Sequence, residues 1–333
     1  MNPKSELLPI ITALKNDTGG GALIRRRVDP SSPVDVYLGV EPATGHLGVL
    51  LGVHRRHVPA TRDLPGGTGF ALRTHVIKDD IKDVINLGIF CTDTACEDIF
   101  LHFMKDIVSH LLTERSSEAA LRAFLARVSL WQRFFVQGRN VYLTEEAQLG
   151  LFGELLVMRD LIIRAVGASA AVEAWKGPEG KPQDFTMASG ALEVKCTRAK
   201  AGGRIPISNE LQLDERPFGY MVLIHVSVSQ GGTGNPSLTD MVEGVRALLS
   251  GPALLTFDDK LIAAGFLDAH ADRYRESRFL LRDIDFFDVR DNFPRVRPGD
   301  LRVGVVEISY KIDVAAIMPF KIEQPDVEAR LIR

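Results

Sequence analysis

Apolar residues recur with two different periods in the first part of the chain. Leu7, Leu8, Ile11 and Leu14 have helical spacing, which predicts one helix over residues 1–16. The runs that follow are short, apolar or alternating, and separated by Pro, Gly and Asp clusters, as is typical of a small antiparallel sheet. These predicted strands are Val34–Val40, Leu47–Val53, Gly69–His75 and Val84–Cys91.

The pattern then becomes helical over Asp98–Leu112 and Ser117–Phe135. A change of pattern near Gly138–Thr144 predicts a domain boundary, with a β-rich and helical N-terminal domain over residues 1–143. The second domain is then expected to cover residues 144–333, because a chain of 333 residues exceeds the usual size of one domain.

The second domain is predicted to be α/β (α+β), with a helix, three strands, a short helix and a strand around a mixed sheet. In chain order these elements are Glu145–Val166, Gln183–Met187, Ala191–Cys196, Arg204–Ile207, Ser208–Leu213 and Tyr220–Val228. The motifs of this core lie within residues 149–230, and residues 231–333 form a C-terminal extension. In the extension we expect helices near Leu238–Leu249 and Asp259–Ala264, and strands over Phe279–Val289 and Val303–Ile312.

Composition narrows the class of protein without indicating a function. Hydrophobic residues at 45% and charged residues at 25% are typical of a globular protein, and the apolar runs are too short to span a membrane. Three cysteines and the lack of a secretion signal predict a cytoplasmic location. A net charge of −3 argues against binding of nucleic acid by bulk charge, although a local basic groove remains compatible with it.

The stretch from Trp175 to Lys195 carries the residues with the clearest chemical potential. Glu193 and Lys195 are two positions apart, so on a strand their side chains leave the same face. A two-residue turn at Ser189–Gly190 would pair Asp184 with Lys195, whereas a four-residue loop would place Asp184 opposite Glu193. Both registers put all three side chains on one face, and a three-residue loop without a bulge would not.

Two carboxylates on one face repel each other unless a cation lies between them. Mg²⁺ takes one or two protein carboxylates and retains waters, so Asp184 and Glu193 are candidate ligands. A substrate phosphate would complete the coordination of the cation. Lys195 would then orient or deprotonate an attacking water, or stabilise charge on the phosphorane that forms from this phosphate. The alternative is a surface hairpin in which Glu193 and Lys195 form a weak salt bridge.

Glu154 is a further candidate because it lies within an apolar stripe of the predicted helix. Its neighbours on that face are Leu151, Met158, Leu161 and Ala165. A buried carboxylate needs a partner, which would be a metal site, a catalytic pocket or a buried arginine. After the hairpin, Arg198, Lys200 and Arg204 form a basic run suited to phosphate contacts, and a solvated loop explains the same charges.

These residues and their order resemble the PD-(D/E)XK nuclease superfamily, whose fold is restriction-endonuclease-like. The resemblance is to an uncharacterised PD-(D/E)XK family of bacterial proteins of about this length. The matching segments are Gly150 to Leu156, Trp175-x-Gly177-Pro178, Asp184-Phe185, Glu193-Val194-Lys195, Ile207-Ser208 and Gln212-Leu213. One departure is Gln183 before Asp184, where the superfamily often has proline.

The resemblance implies a role for each matching residue. Asp184 and Glu193 would be metal ligands, with the Val194 carbonyl as a third, and Lys195 would be the catalytic lysine. Glu154 would be the acidic residue of the helix that opens the core and a further candidate ligand. Gln212 resembles a helix glutamine that faces the site in several branches.

The resemblance also implies a function, a Mg²⁺- or Mn²⁺-dependent DNA endonuclease in restriction or anti-phage defence. Its partners would be DNA and other defence proteins, such as a helicase or a methyltransferase, and a homodimer is compatible with it. The main alternative is a non-catalytic DNA-binding or scaffold subunit that keeps the nuclease fold. An enzyme acting on RNA or on small phosphodiesters is a third interpretation.

Overall fold

The computed structural model describes residues 4–17, 23–41, 44–59, 64, 69–76, 83–93, 97–137, 142–198, 203–305 and 307–332. The chain divides into two compact units, Met1–Val141 and Tyr142–Arg333. It is a mixed α/β protein with several sheets. In the described part of the chain, no helix is both long and apolar enough to cross a membrane.

The first unit contains a five-stranded antiparallel sheet in the order β1-β2-β3-β5-β4. Its strands are β1 (Ile24–Arg27), β2 (Val36–Glu41), β3 (His46–His54), β4 (Phe70–His75) and β5 (Val84–Cys91). Its helices are α1 (Lys4–Lys15), α2 (Glu97–Leu111) and α3 (Ser117–Gln137). The structure has strands at all four positions predicted from the apolar runs, and β1 is an additional strand with three consecutive arginines.

The second unit is built on a mixed sheet in the order β12-β10-β9-β7-β6. Its strands are β6 (Phe185–Thr186), β7 (Gly190–Thr197), β9 (Tyr220–Gln230), β10 (Phe279–Asp288) and β12 (Lys321–Ile322). Strands β7 and β9 are parallel and the other pairs are antiparallel. The central strand β9 is buried on both faces, which explains its nearly continuous apolar sequence.

Helices cover this sheet and fill the rest of the second unit. They are α4 (Glu145–Val157), α5 (Ile163–Val166), α6 (Ala168–Ala174), α7 (Leu238–Arg246), α8 (Gly251–Ala263), α9 (Ala271–Tyr274), α10 (Val314–Ile317) and α11 (Gln324–Leu331). A π-helical turn, Met158–Ile162, joins α4 to α5, so the helix predicted over Glu145–Val166 is present but not uniformly α-helical.

Three predictions for this unit need correction. Strand β8 (Arg204–Ile207) does not join the large sheet but forms a separate two-stranded sheet with β11 (Tyr310–Asp313). Of the strand predicted over Val303–Ile312, the described residues form a strand only from Tyr310 onwards. The helix predicted over Ser208–Leu213 is wrong, because that segment forms turns. The Asn209 side chain accepts from Leu211 N at 2.9 Å and Gln212 Oε1 accepts from Ser208 N at 2.7 Å, and such bonds compete with helix formation.

The two faces of the large sheet pack against different partners. Leu192, Val194 and Val222 belong to the core shared with α4, whereas Met221 and Leu223 belong to a second core. The second core also contains Ile205, Ile207, Phe287 and Ile312. Glu193 and Lys195 alternate with Leu192 and Val194 on β7, so they lie on the face away from α4.

Candidate active site

The β6–β7 hairpin brings Asp184 and Glu193 opposite each other. Phe185 pairs with Leu192 and Thr186 with Ala191, and the same register, continued by one pair, aligns Asp184 with Glu193. Met187 N donates to Gly190 O at 2.9 Å, so the turn residues are Ala188 and Ser189. The predicted turn at Ser189–Gly190 is therefore wrong. Four residues, 187–190, separate the paired Thr186 and Ala191, so the register is the second of the two predicted ones, in which Asp184 lies opposite Glu193.

Packing against a neighbouring strand, and not the predicted turn, explains the glycine at position 190. Its backbone is not among those with positive φ. A Cβ at this position would collide with the ring of Tyr220, which lies beside it on β9. Close packing of two strands therefore explains Gly190, and the shift of the turn by one residue leaves the parity of the charged side chains unchanged.

Glu193 is the most deeply buried charged residue of the hairpin. Its side chain is 0% exposed, and Lys195 Nζ lies 2.8 Å from its Oε1. Among the described residues, Glu193 Oε2 has no hydrogen-bond partner. A buried carboxylate oxygen without a donor is unfavourable, so this atom is suited to a ligand.

Asp184 is held in place through both its side chain and its backbone. Its Oδ2 accepts a hydrogen bond from Val194 N at 2.7 Å. Its carbonyl oxygen accepts from Lys176 N at 2.6 Å and from Gly177 N at 3.1 Å. The position of this carboxylate therefore depends on β7 on one side and on the segment after Trp175 on the other.

Glu154 reaches the same place from α4. Gly153 allows the helix to lie directly on β7, because a Cβ there would be 2.6 Å from Cys196 Cβ. Glu154 Oε2 accepts from Trp175 Nε1 at 2.7 Å. The hydrogen bond that compensates its burial is thus to an indole, and not to the arginine that the alternative interpretation required.

Gly177 lies where the carboxylates of Glu154 and Asp184 approach each other. A Cβ at this position would be 3.0 Å from Glu154 Oε2 and 3.2 Å from Asp184 Oδ1. The absence of a side chain therefore leaves room for both oxygens beside the same backbone atom.

Burial raises the pKa values of all three carboxyl groups, and repulsion adds to the shifts of Glu154 and Glu193. Burial, with repulsion from Asp184, raises the pKa of Glu154 to about 8, and burial raises that of Asp184 to about 6. Burial and the Asp184 charge hold the pKa of Glu193 well above its ordinary value. Burial opposes the charge of Lys195, but its carboxylate neighbours, Glu193 first, keep the pKa of the ammonium raised. When all three carboxyl groups are ionised, they carry more negative charge than one lysine neutralises, so their ionised form favours binding of a further cation.

The donor set fits a hard divalent cation. Within the described part of the chain, no three His, Cys, Asp or Glu side chains form a ready metal-binding cluster. Mg²⁺ does not need one, because it takes one or two carboxylates and keeps several waters. The oxygen ligands, the unpartnered Glu193 Oε2 and the raised carboxyl pKa values are the features that fit such an ion.

Two of the predicted substrate-binding residues, Gln212 and Arg198, have polar partners other than the three carboxylates. Gln212 Oε1 accepts from Ser208 N at 2.7 Å, so the amide stabilises its own turn. Arg198 forms an ion pair with Glu145 at 3.2 Å, and Arg204 is exposed on β8. Lys200 lies outside the described residues.

Two residues of the site had no chemical role in the sequence interpretation, although they belong to a matching motif. Trp175 and Gly177 have roles that depend on contact with α4, and neighbours in sequence do not reveal such contacts. Spacing alone offered no signal for the Trp175–Glu154 hydrogen bond, because the two residues are 21 positions apart.

Comparison with protein families gave one match. The chain matches the family model described as "Putative PD-(D/E)XK family member, (DUF4420)" over residues 10–315, which include every residue of the site. Comparisons with curated proteins and with solved structures gave no match.

Proposed function

Because the chain belongs to this PD-(D/E)XK family, we propose that it is a divalent-cation-dependent endonuclease that hydrolyses phosphodiester bonds in DNA. The observation that carries the proposal is the meeting of Asp184, Glu193 and Lys195 at one hairpin, with Glu154 beside them. We also propose that the second unit has the restriction-endonuclease-like core, with α4 and β6, β7 and β9 as its site-bearing elements.

The carboxylates of Asp184 and Glu193 would hold the cation, together with the carbonyl of Val194, and Glu154 would complete or tune the site. When bound, Mg²⁺ or Mn²⁺ supplies positive charge to the scissile phosphate and to the attacking water. The hydrogen bonds from Val194 N to Asp184 and from Trp175 Nε1 to Glu154 fix the orientation of two carboxylates.

Lys195 would act on the reacting groups directly. Its ammonium is held beside Glu193 on the same strand face, largely buried and within an ion-pair distance of 2.8 Å. From there it would orient the attacking water or stabilise the negative charge that develops on the oxygens of the phosphorane. Preorganised positive charge in a site sheltered from water interacts more strongly with developing negative charge than the same group would in bulk water.

DNA contacts would come from Arg198, Lys200, Arg204 and Gln212, which follow the hairpin in sequence. The choice of DNA over RNA and small phosphodiesters as the substrate rests on the family resemblance. On the same ground we propose a role in restriction or anti-phage defence, a helicase or methyltransferase partner, and a homodimer.

A second candidate function is a non-catalytic DNA-binding or scaffold subunit. It is favoured by the absence of a ready three-ligand cluster among the described residues and by the hydrogen bond that occupies Asp184 Oδ2. The complete set of Asp184, Glu193 and Lys195 argues against it, because a subunit without catalysis has no need to bury three charged groups together.

The test is nicking of supercoiled plasmid by the purified protein in Mg²⁺ or Mn²⁺, with chelator as the blank. We expect Glu193→Gln and Lys195→Met to lower the rate at least about a hundredfold, because the first removes a proposed ligand of the cation and the second a group that would act on the reacting atoms. Lys321→Met is the matched control, since Lys321 also pairs with a carboxylate of this sheet, Asp285, at 2.5 Å.

Unaltered cleavage by both Glu193→Gln and Lys195→Met would contradict the assignment. Wild-type protein that binds DNA in a gel-shift assay and cuts none of the supercoiled, linear, modified or single-stranded forms would favour the scaffold function.

A further inference from the structure

Lys260 on α8 is a buried lysine close to the site. The residue is 8% exposed, and its Nζ donates to the carbonyl oxygen of Val172 at 2.8 Å and to that of Trp175. The same atom lies 2.9 Å from Glu179 Oε1. Three oxygen partners around one ammonium satisfy all its donors.

The segment from Trp175 to Glu179 is therefore held at both ends by one cation. Between these ends, the segment makes its contacts with the candidate active site. Trp175 Nε1 donates to Glu154, and Gly177 lies against the carboxylates of Glu154 and Asp184. The backbone N–H groups of Lys176 and Gly177 donate to the Asp184 carbonyl oxygen.

A purely structural role for Lys260 would be to attach α8 to its neighbours. That role is also filled by other contacts of α8. Phe257 packs against Trp175 with ring centroids 5.7 Å apart, and Asp258 pairs with Arg246 at 2.8 Å. An apolar residue would serve attachment with less desolvation than a buried ammonium, so the charge calls for an explanation of its own.

We infer that Lys260 is a positioning residue of the candidate active site, whose ammonium holds the Trp175–Glu179 segment so that Glu154 and Asp184 converge on one cation. The inference rests on the proposed function and goes beyond it, because the partners of Lys260, which are Val172, Trp175 and Glu179, are not among the proposed ligands of the cation. Residues that orient metal ligands in this way typically change metal affinity 10- to 100-fold when they are removed.

The test is calorimetric titration of the full chain with Mn²⁺. We expect Lys260→Met, which keeps the length of the side chain and removes the charge, to weaken Mn²⁺ binding at least tenfold. Arg246→Met is the matched control: it breaks the ion pairs of Arg246 with Asp258 of α8 and with Asp268, but none of the described partners of Arg246 lies in the Trp175–Glu179 segment. Its Mn²⁺ affinity should equal that of the wild type.

Glu179→Gln provides a milder variant if Lys260→Met does not fold. Glu179 is one of the three partners of the ammonium and lies outside the carboxylate group, so we expect a smaller loss of Mn²⁺ affinity. Wild-type affinity in both Lys260→Met and Glu179→Gln would overturn the inference, and so would an equal loss in Arg246→Met.

A second readout needs no metal. The chain has two tryptophans, so an ¹⁵N–¹H NMR spectrum has two indole N–H signals, and Trp175→Phe identifies one of them. In metal-free Lys260→Met we expect the Trp175 signal to move or broaden. The Trp131 signal should stay, because Trp131 Nε1 donates to Asp106 in the first unit.

The failure of this inference is distinguishable from that of the proposed function. A wild-type protein that binds no Mn²⁺ would contradict both. A wild type that binds Mn²⁺ and a folded Lys260→Met with equal affinity and an unchanged Trp175 signal would contradict only the role of Lys260.

Discussion

At the residue scale, Gly177 determines how closely the carboxylates of Glu154 and Asp184 can approach each other. Gly177 leaves room for oxygens of Glu154 and Asp184 at 3.0 and 3.2 Å from the place of a Cβ. Contacts this short are tight for a carbon, so a methyl group would displace one carboxylate or both by a few tenths of an ångström. Small displacements matter at such a site, because metal ligands and reacting groups act only in a narrow range of positions.

Gly177→Ala should therefore separate stability from function. We expect the free energy of unfolding to change by less than about 1 kcal/mol, because flexible carboxylate ends can move aside. Mn²⁺ affinity and plasmid nicking should each fall by roughly tenfold or more, because the carboxylates would no longer converge. Gly234→Ala is the control, since a Cβ at Gly234 meets nothing within 4 Å. Equal Mn²⁺ affinity in Gly177→Ala and wild type would refute this role of Gly177.

The charged residues of the hairpin were the ones that the sequence could reveal. Asp184, Glu193 and Lys195 follow from alternation on a strand, and the structure brings them together through the register of one hairpin. Trp175 and Lys260 act through partners that are 21 to 88 positions away along the chain, and Gly177 lies against Glu154 of α4 as well as Asp184. No local pattern encodes such contacts.

At the scale of elements, the close packing of α4 on β7 depends on one of the two glycines of the helix. Gly153 faces β7, where a Cβ would be 2.6 Å from Cys196 Cβ and 3.6 Å from Val194 Cγ1. Gly150 is on the same helix, and a Cβ there would meet nothing within 4 Å. The contact at Gly153 brings the backbone of Glu154 close enough to the strand for its side chain to reach Asp184.

Gly153→Ala and Gly150→Ala should consequently have opposite effects in urea unfolding. We expect Gly153→Ala to destabilise by about 1–3 kcal/mol, because the added methyl group forces α4 away from β7. Gly150→Ala should be neutral or stabilise by up to about 1 kcal/mol, since alanine favours the helix over glycine. The same sign of change in both variants would show that packing against β7 does not explain Gly153.

Elements with strong periodicity were predictable, and their partners were less so. Strands β2 to β5 of the first unit and the helix after Thr144 follow from apolar spacing, whereas the pairing of β8 with β11 does not, because those strands are over a hundred residues apart. The segment after Ser208 has helical spacing but forms turns, since its own Asn209 and Gln212 side chains bond to the backbone. The hairpin turn was one residue off because Gly190 is explained by Tyr220 packing, a contact between strands.

At the scale of the whole molecule, the buried carboxyl groups link stability to pH. In the absence of metal, burial raises the pKa of Glu154 to about 8 and that of Asp184 to about 6. In the unfolded chain both return to ordinary values near 4, so between these limits the folded protein binds more protons than the unfolded one. The contribution of these protonated groups to the free energy of unfolding is therefore fully present below about pH 4. It is lost as the pH rises through the folded pKa values of about 6 and about 8.

Urea unfolding of metal-free protein between about pH 5 and about pH 9 measures this linkage, and Glu154→Gln isolates the part due to one group. We expect the wild type to lose free energy of unfolding relative to Glu154→Gln as pH rises, by at most about 1.4 kcal/mol per pH unit. Mg²⁺ should reverse the trend, because a cation binds the ionised carboxylates of the folded state, and its stabilising effect should grow with pH. Parallel pH curves for the two proteins without metal would show that Glu154 is ionised throughout. A Mg²⁺ effect that does not depend on pH would show that the cation binds away from these carboxyl groups.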